Sequence, residues 1–444
     1  MKLNTGQQQA FDAIKSGRNV FLTGQAGTGK SELIKVVKDF YEQRSQTCAV
    51  TSLTGNSAMQ LKGTTIHRWS GYGIGNLKGG ELVDKVRKNR NAMKNWKTTA
   101  LLIIDEVSMM SPNMLDDLNY IGRAIRRVTS AFGGIQLLFC GDWAQLPPVK
   151  TDAYCFESPT WNLCDFEVHY LRENMRQSEG QFQAILAEIR MGILSDAGKS
   201  LLESRLNVSV GGDGIQPVKL FPKRALVDTI NMKRLKEIVR EDNQVQVFKA
   251  IDYYSSKYPV NAKYKDEHIA ALTKACQAKP VLELAVGAQV VLIHNLDIDS
   301  GLVNGSCGMI IAFEELRPLV RFLNGIEMII QAHDWEVKLG EDLSINRRQI
   351  PLILGYAMTM HRAQGMSLDC VEVDLGPDNF AEGQFYTALS RVRKVGGLSI
   401  SNLCYEALKY DAKVISFYKA IEAAEGTNFR VLVDATGKVI TRTI

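Results

Sequence analysis

The sequence predicts an α/β protein with two lobes in tandem and a small β-barrel inserted in the second. Three observations lead there. Four short, largely apolar runs at 20–22, 49–51, 101–104 and 137–139 show no in/out alternation, the pattern of parallel strands covered by helices on both faces. Similar runs return at 218–221, 352–357 and 371–375. Between 218–221 and 352–357, the stretch 280–350 changes to brief β runs at 286–293, 308–313 and 319–323, and Asn324-Gly325 separates two of its apolar segments. That dipeptide is a strong two-residue hairpin signal.

The elements follow in order. Residues 1–165 read as the first α/β domain. Within it, Ser111-Pro112 supplies an N-cap and a proline at the first helical position, ahead of a stripe of Met114, Leu118, Ile121 and Ile125 at helical spacing. The second domain starts at 166 and runs to 279, with a strand at 218–221 leading into a helix over 225–239. The barrel occupies 280–350, the second domain resumes over 351–425, and 426–444 is a C-terminal tail. The least legible part is 241–279. There is no internal repeat and no low-complexity tract.

Composition narrows the class. At 444 residues, 45% hydrophobic and 23% charged, the chain has the make-up of an ordinary globular protein of several domains. No stretch approaches the roughly 18 uncharged apolar residues of a membrane span, and Met1-Lys2-Leu3-Asn4-Thr5-Gly6 has no apolar signal region, so an intracellular protein is expected. It would lie in the cytoplasm of a bacterium or a phage-infected cell, or in a nucleus or mitochondrion. The eight cysteines are dispersed, without C-x-x-C or zinc-type Cys/His spacing, which favours a reducing compartment and no structural metal. A net charge of +5, from 53 basic and 48 acidic residues, permits a polyanionic partner only through a local patch.

The most informative motif is Gly24-Gln25-Ala26-Gly27-Thr28-Gly29-Lys30-Ser31, set between a strand and a helix. Its glycines Gly24, Gly27 and Gly29, with Thr28, let the backbone wrap phosphates; Lys30 meets the β/γ oxygens and the Ser31 hydroxyl ligates Mg²⁺. The alternative is a chance glycine-rich turn, which the flanking strand and helix disfavour. The 101–104 strand ends in Asp105-Glu106, where open α/β sheets place functional groups. Asp105 would hold Mg²⁺ and Glu106 would activate the attacking water; a surface acidic pair is the bland alternative. Kinases also use phosphate loops, so hydrolysis draws further support from Phe139-Cys140-Gly141-Asp142-Trp143-Ala144-Gln145-Leu146-Pro147-Pro148-Val149, in which Gln145 is a γ-phosphate sensor candidate. ATP and Mg²⁺ are the expected cofactors.

In this order, G-Q-A-G-T-G-K-S, I-I-D-E-V-S-M-M, G-D-W-A-Q-L-P-P-V, L-R-E-N-M-R-Q, H-R-A-Q-G-M-S and G-Q-F-Y-T-A-L-S-R resemble the motifs of Pif-family DNA helicases, in superfamily 1, branch B, near the RecD-like enzymes. The likeness runs from Leu3 to Leu398 and includes the family-specific Thr64-Thr65-Ile66-His67 and the stretch from Gln177 to Gly192. It implies two RecA-like P-loop domains in tandem, a short wedge element at about 64–80, an SH3-like barrel, and 5′→3′ movement on single-stranded DNA. It further implies that Gln7 reads the adenine edge, that Arg176 and Arg391 meet the γ-phosphate from the second lobe, and that Gly365 lies near the nucleotide. For DNA it implies Thr54, Gly55, Asn56, His67, His361 and Gln364, and Asn231 is a candidate phosphate contact. The family has alanine where Asn56 and Ser57 stand here.

Two further features stay open between DNA contact and ordinary structure. One is the basic run Lys85, Arg87, Lys88, Arg90, Lys94 and Lys97; the other is the pair Trp69 and Tyr72 in the wedge. The expected function is an ATP-dependent 5′→3′ DNA helicase of replication, repair or recombination, acting as a monomer on single strands, forks and tailed duplexes. The alternatives are a nucleic-acid-stimulated ATPase that moves without unwinding and an ATP-switched clamp.

Overall fold

The computed structural model describes residues 3–73, 77–148, 151–173, 180–221, 224–239, 243–257, 260, 265–297, 299–339, 343–376, 383–424, 428–434 and 436–444, with the side chains of 224, 225 and 407 excepted. The chain divides into two compact units, residues 1–175 with 410–444 and residues 176–409.

The first unit is built on strands β1 (Val20–Gly24), β2 (Cys48–Ser52), β3 (Thr64–Thr65), β4 (Leu101–Asp105), β5 (Gln136–Gly141) and β6 (Glu167–Leu171). They pair in parallel in the order β6-β1-β5-β4-β2-β3. Every residue of β1 and β4 is buried, which is why those strands are apolar on both faces. Helix α1 (Thr5–Lys15) begins with a reciprocal cap between Asn4 and Gln7, satisfying two donors that an open helix end leaves unpaired. Helix α2 (Lys30–Gln43) follows the glycine-rich loop. Ala10, Ile14, Leu33, Ile34 and Val37 of these helices share a core with Val20, Leu22, Ile103 and Leu138 of the sheet. Each of these leucine, isoleucine and valine side chains contributes about 1.5–3 kcal/mol on burial.

Past β2 lie α3 (Gly55–Gln60), α4 (Ile66–Ser70), α5 (Gly79–Lys88), α6 (Arg90–Thr98) and α7 (Pro112–Arg126). Ser111 caps α7 by accepting from the Met114 amide, with Pro112 in the first turn. In the expected wedge, Trp69 and Tyr72 are buried: Trp69 packs against Trp96 with centroids 4.7 Å apart, and the Tyr72 hydroxyl donates to Asp117 at 3.0 Å. These two aromatics are packing residues rather than a stacking platform. Of the basic run, Arg87, Lys88, Arg90, Lys94 and Lys97 are exposed, whereas Lys85 is half-buried and donates to the Tyr72 carbonyl.

The end of the chain departs from expectation. Residues 166–175 and 410–425, expected in the second domain, belong to the first unit, and so does the tail. Helix Ala412–Ala423 packs Phe417 into an aromatic cluster with Phe21, Trp143, Phe156 and Trp161. Strands Phe429–Val433 and Val439–Thr443 then extend the large sheet antiparallel beyond β6. The hydroxyl of Tyr418 ties this helix to the sheet: it donates to Asp142 Oδ1 at 2.8 Å, accepts from the Trp143 amide at 2.9 Å, and lies 3.0 Å from Thr23 Oγ1. The sequence hides this return because 410–425 reads as a helix that suits either lobe.

The second unit has a parallel sheet in the order Ala357–Thr359, Val218–Phe221, Val371–Leu375, Leu398–Leu403. Its β module contains a five-stranded antiparallel sheet in which Asn324-Gly325 turns Arg317–Phe322 into Glu327–Ile329, with Gly325 at φ 84°. The module starts earlier than 280. Gln246–Lys249 pairs with Val281–Leu284, and Ile251–Ser256 joins the sheet of His333–Lys338 and Leu343–Gln349. Arg347, almost fully buried, makes two bonds to Asp252 at 2.6 and 2.8 Å. The exposed, mixed composition of 246–256 conceals these strands, because most of their side chains face water.

Tyr418→Phe removes a hydroxyl with three polar neighbours around the buried Asp142. Chemical denaturation should show a loss of about 1–3 kcal/mol, and a change below about 0.5 kcal/mol would mean that the bonds add nothing to the fold.

Candidate active site

The glycine-rich loop leaves β1 at its C-terminal end and enters α2 through Gly29, whose φ of 80° is left-handed. Gly24 has no room for a side chain: a Cβ there would stand 2.4 Å from the Leu171 carbonyl. The Thr28 hydroxyl donates to the Gln25 carbonyl at 2.9 Å and closes the turn. Lys30 extends its ammonium over the inside of the loop, donating to the carbonyls of Gly24 and Gln25 at 2.7 and 2.8 Å. Ser31 lies exposed in the first turn of α2. A loop of this form on a helix N-terminus is an anion cradle.

Asp105 ends β4 and is almost fully buried. Its carboxylate accepts from the Ser57 hydroxyl at 2.7 Å and from the Glu106 backbone. Burial pushes the Asp105 carboxyl above the ordinary carboxylate range, while the two hydrogen bonds and the nearby Lys30 ammonium pull it back. A carboxylate only partly compensated for lost water, with a serine hydroxyl in the same loop system, is a donor set that suits a hard, oxygen-seeking cation. Glu106 has a left-handed backbone, φ 59° and ψ 39°, a conformation that for a non-glycine residue is held only by its surroundings. β1, β5 and β4 end side by side, with Thr23 paired to Gly141 and Ile104 to Phe139. Lys30, Asp105 and Glu106 therefore gather at the C-terminal ends of these interior strands, where the charges of all three act on the buried Cys140 thiol of β5. Burial pushes that thiol well up, which keeps it inert.

Gln145 is buried beside Asp142: its amide donates to the Asp142 carbonyl at 3.0 Å, and its side chain lies 3.5 Å from Asp142 Oδ2. Gln7 is also buried, with its side chain accepting from the Asn4 amide and donating to the Gly29 carbonyl at 3.2 Å. It therefore fastens α1 to the phosphate loop. The neighbouring Asn4, Thr5 and Gly6 line a cavity of about 780 Å³ together with Tyr170 and Arg172.

The candidate DNA residues of the first unit lie at the same C-terminal end of the sheet. Ser52 pairs with Asp105 on one side and Thr65 on the other, which brings the starts of α3 and α4 together. Thr54 caps α3 by accepting from the Ser57 amide at 3.2 Å; Gly55 and Asn56 form its first turn, half-buried, and His67 stands half-buried in α4.

In the second unit, His361 is exposed at the start of helix Met360–Ala363, Gln364 is buried behind it, and Gly365 follows at φ 80°. Arg391 is buried, bonding the Thr387 carbonyl at 2.9 Å and the Ser390 hydroxyl at 2.7 Å. Asn231 does not fit a phosphate contact. Its side-chain oxygen accepts from the amides of Tyr356 and Ala357 and its nitrogen donates to the Ala357 carbonyl, so it braces a strand. Arg176 lies outside the described residues. Sequence reasoning missed the Ser57–Asp105 bond and the role of Tyr418; a serine one helical turn past Thr54 was the only signal for the first.

The geometry agrees with comparison to known proteins. The family model for PIF1-like helicase matches residues 2–197, and that for the 2B domain of DNA helicase Pif1 matches residues 267–313. The crystal structure of Pif1 helicase from Candida albicans is 32% identical, with a TM-score of 0.73 over 95% of this chain and 100% of that one. The chain belongs to the PIF1-like helicase family. Pif1 from Bacteroides sp in complex with ADP-AlF4 is 25% identical, with a TM-score of 0.79 over 96% of this chain and 98% of that one. The ATP-dependent DNA helicase PIF1 of Rattus norvegicus is 36% identical over 96% of this chain. The chain spans 65% of that relative's length. Across the PIF1-like match, the phosphate loop, Asp105-Glu106 and the α3 segment all lie within residues 2–197.

Lys30→Ala should weaken binding of a fluorescent ATP analogue by roughly 10–100-fold, the weight of a charge-assisted contact. Glu106→Gln should keep that binding within a few fold while turnover drops by about 10²–10⁴. Near wild-type hydrolysis by Glu106→Gln would remove the residue from its role as base.

Proposed function

We propose that this chain is an ATP- and Mg²⁺-dependent DNA helicase that moves 5′→3′ on single-stranded DNA and unwinds duplex in replication, repair or recombination. The observation that carries the reading is that Lys30, Asp105 and Glu106 gather at the C-terminal ends of neighbouring strands, next to the α3 and α4 segments. Lys30 would neutralise the β/γ oxygens, and Gly24, Gly27, Thr28 and Gly29 would present backbone donors to them. Ser31 and Asp105 would hold Mg²⁺, which would supply positive charge to offset the charge that develops during phosphoryl transfer. Glu106 would take the proton from the attacking water. A clamp that merely switches on ATP needs no such base.

Thr54, Gly55, Asn56 and His67 would hold the strand on the first unit, and His361 and Gln364 on the second. Their contacts go to phosphate and sugar, so binding should not depend on base order. The protein would work as a monomer on tailed duplexes and forks inside the cell. Among the described residues, no helix is long and apolar enough to cross a membrane.

With ATP and Mg²⁺, a duplex carrying a 5′ single-stranded tail should be unwound while 3′-tailed and blunt duplexes stay largely intact. Unwinding of the 3′-tailed substrate alone would overturn the polarity. Single-strand affinity should fall with salt at a log–log slope of about −0.7 per neutralised phosphate; an affinity insensitive to salt, or restricted to one short sequence, would count against a translocating motor.

A further inference from the structure

Arg391 follows the short helix Gln384–Leu389, and its main chain is pinned by a segment from elsewhere in the second unit. Leu368 bridges Val392 in parallel: its amide donates to the Arg391 carbonyl at 2.9 Å, and its carbonyl accepts from the Arg393 amide at 3.2 Å. Leu368 and Val392 are both fully buried. Beyond this bridge, Asp369 binds both sides of the joint. Its Oδ1 pairs with Arg393 Nη1 at 2.9 Å, and its Oδ2 accepts from the Cys307 amide at 2.9 Å, where the strand Cys307–Glu314 of the β module begins. The turn that precedes this strand presses on the same segment. The Asn304 carbonyl accepts from the Ser367 amide at 3.3 Å, Ser306 Oγ lies 3.4 Å from Arg393 Nη2, and a Cβ on Gly305 would stand 2.3 Å from the Ser367 carbonyl oxygen. Burial raises the Asp369 carboxyl above its ordinary range, against the pull of Arg393 and of the Cys307 amide. A charge kept from water in this way is tolerated only while its partners stay in place.

We propose that Asp369 is a positioning residue for Arg391: by holding Arg393 and the turn of the β module together, it fixes the main chain that aims the Arg391 guanidinium. This rests on the helicase reading for the part Arg391 plays at the γ-phosphate. The Arg391 side chain is buried against the Thr387 carbonyl and the Ser390 hydroxyl, so its direction follows the backbone around it rather than free rotation of a long side chain. Stabilisation of developing charge depends on a donor that is already aimed, and a shift of about 1 Å in such a group can cost about 10²-fold in rate. Asp369 therefore serves turnover and not nucleotide affinity.

The test is steady-state ATP hydrolysis with saturating oligothymidylate, in the wild-type and Arg391→Ala backgrounds. Asp369→Asn keeps an oxygen for the Cys307 amide and loses the charge that faces Arg393. In the wild-type background it should lower kcat by about 10–100-fold and leave the KM for ATP within about twofold. In the Arg391→Ala background the same substitution should change the remaining rate by less than about twofold, because residues that act as a unit are not additive. Arg393→Gln breaks the same ion pair from its more exposed side and should repeat both results, while Arg393→Lys should recover most of the rate. If Asp369→Asn yields no folded protein, the Arg393 variants decide the matter alone. An Asp369→Asn enzyme with wild-type kcat overturns the inference. So does an equal fractional loss in both backgrounds, since that marks a general weakening of the fold. Wild-type turnover by Arg391→Ala would remove Arg391 from the γ-phosphate, and the inference would fall with it. A wild type without DNA-stimulated hydrolysis would sink the helicase reading and this inference together, an outcome told apart from the others before any variant is made.

Discussion

The first unit is organised around one buried carboxylate. Asp105 closes a strand whose five residues are all buried, and desolvation raises the cost of its charge. That cost is met by groups from separate parts of the chain: the Ser57 hydroxyl, the Glu106 backbone and the Lys30 ammonium. Each holds its own element in place. Lys30 shapes the phosphate loop, Glu106 is kept in a left-handed conformation beside it, and Ser57 draws the start of α3 against β4.

A second set of contacts stiffens this arrangement from below. Asp142, buried after β5, receives the Tyr418 hydroxyl and the Ala144 amide on one oxygen and faces the Gln145 side chain with the other. Tyr418 also reaches Thr23 in β1, next to the first glycine of the loop. The loop that carries Gln145 is thus referenced to the strand that carries the phosphate cradle. The aromatic cluster of Phe21, Trp143, Trp161 and Phe417 surrounds these bonds and keeps water from competing for them.

Much of this was legible in the sequence, for identifiable reasons. Parallel strands buried on both faces must be apolar, so β1, β2, β4 and β5 stand out, and a turn that wraps phosphates needs glycine where a Cβ would strike the Leu171 carbonyl. Asn324-Gly325 marks its hairpin because Gly325 takes a left-handed backbone, although the loop spans three residues, 323–325, rather than the expected two. What stayed hidden depends on distant partners. Trp69 and Tyr72 look like exposed aromatics until Trp96 and Asp117 are placed against them. Asn231 looks like a polar ligand until the backbone of 356 and 357 consumes its amide. The helix of Phe417 and Tyr418 gives no local sign of which sheet it joins. Ser57 is a small polar residue whose meaning comes wholly from the carboxylate opposite.

The central claim is that a nucleotide site and a strand-binding face share the C-terminal end of the sheet at Asp105. Steady-state ATP hydrolysis measured against rising single-stranded DNA tests it most directly. The account predicts a rate that climbs with DNA and saturates, as occupancy of one face acts on the other. A hydrolysis rate that is substantial yet indifferent to DNA at every concentration would contradict it.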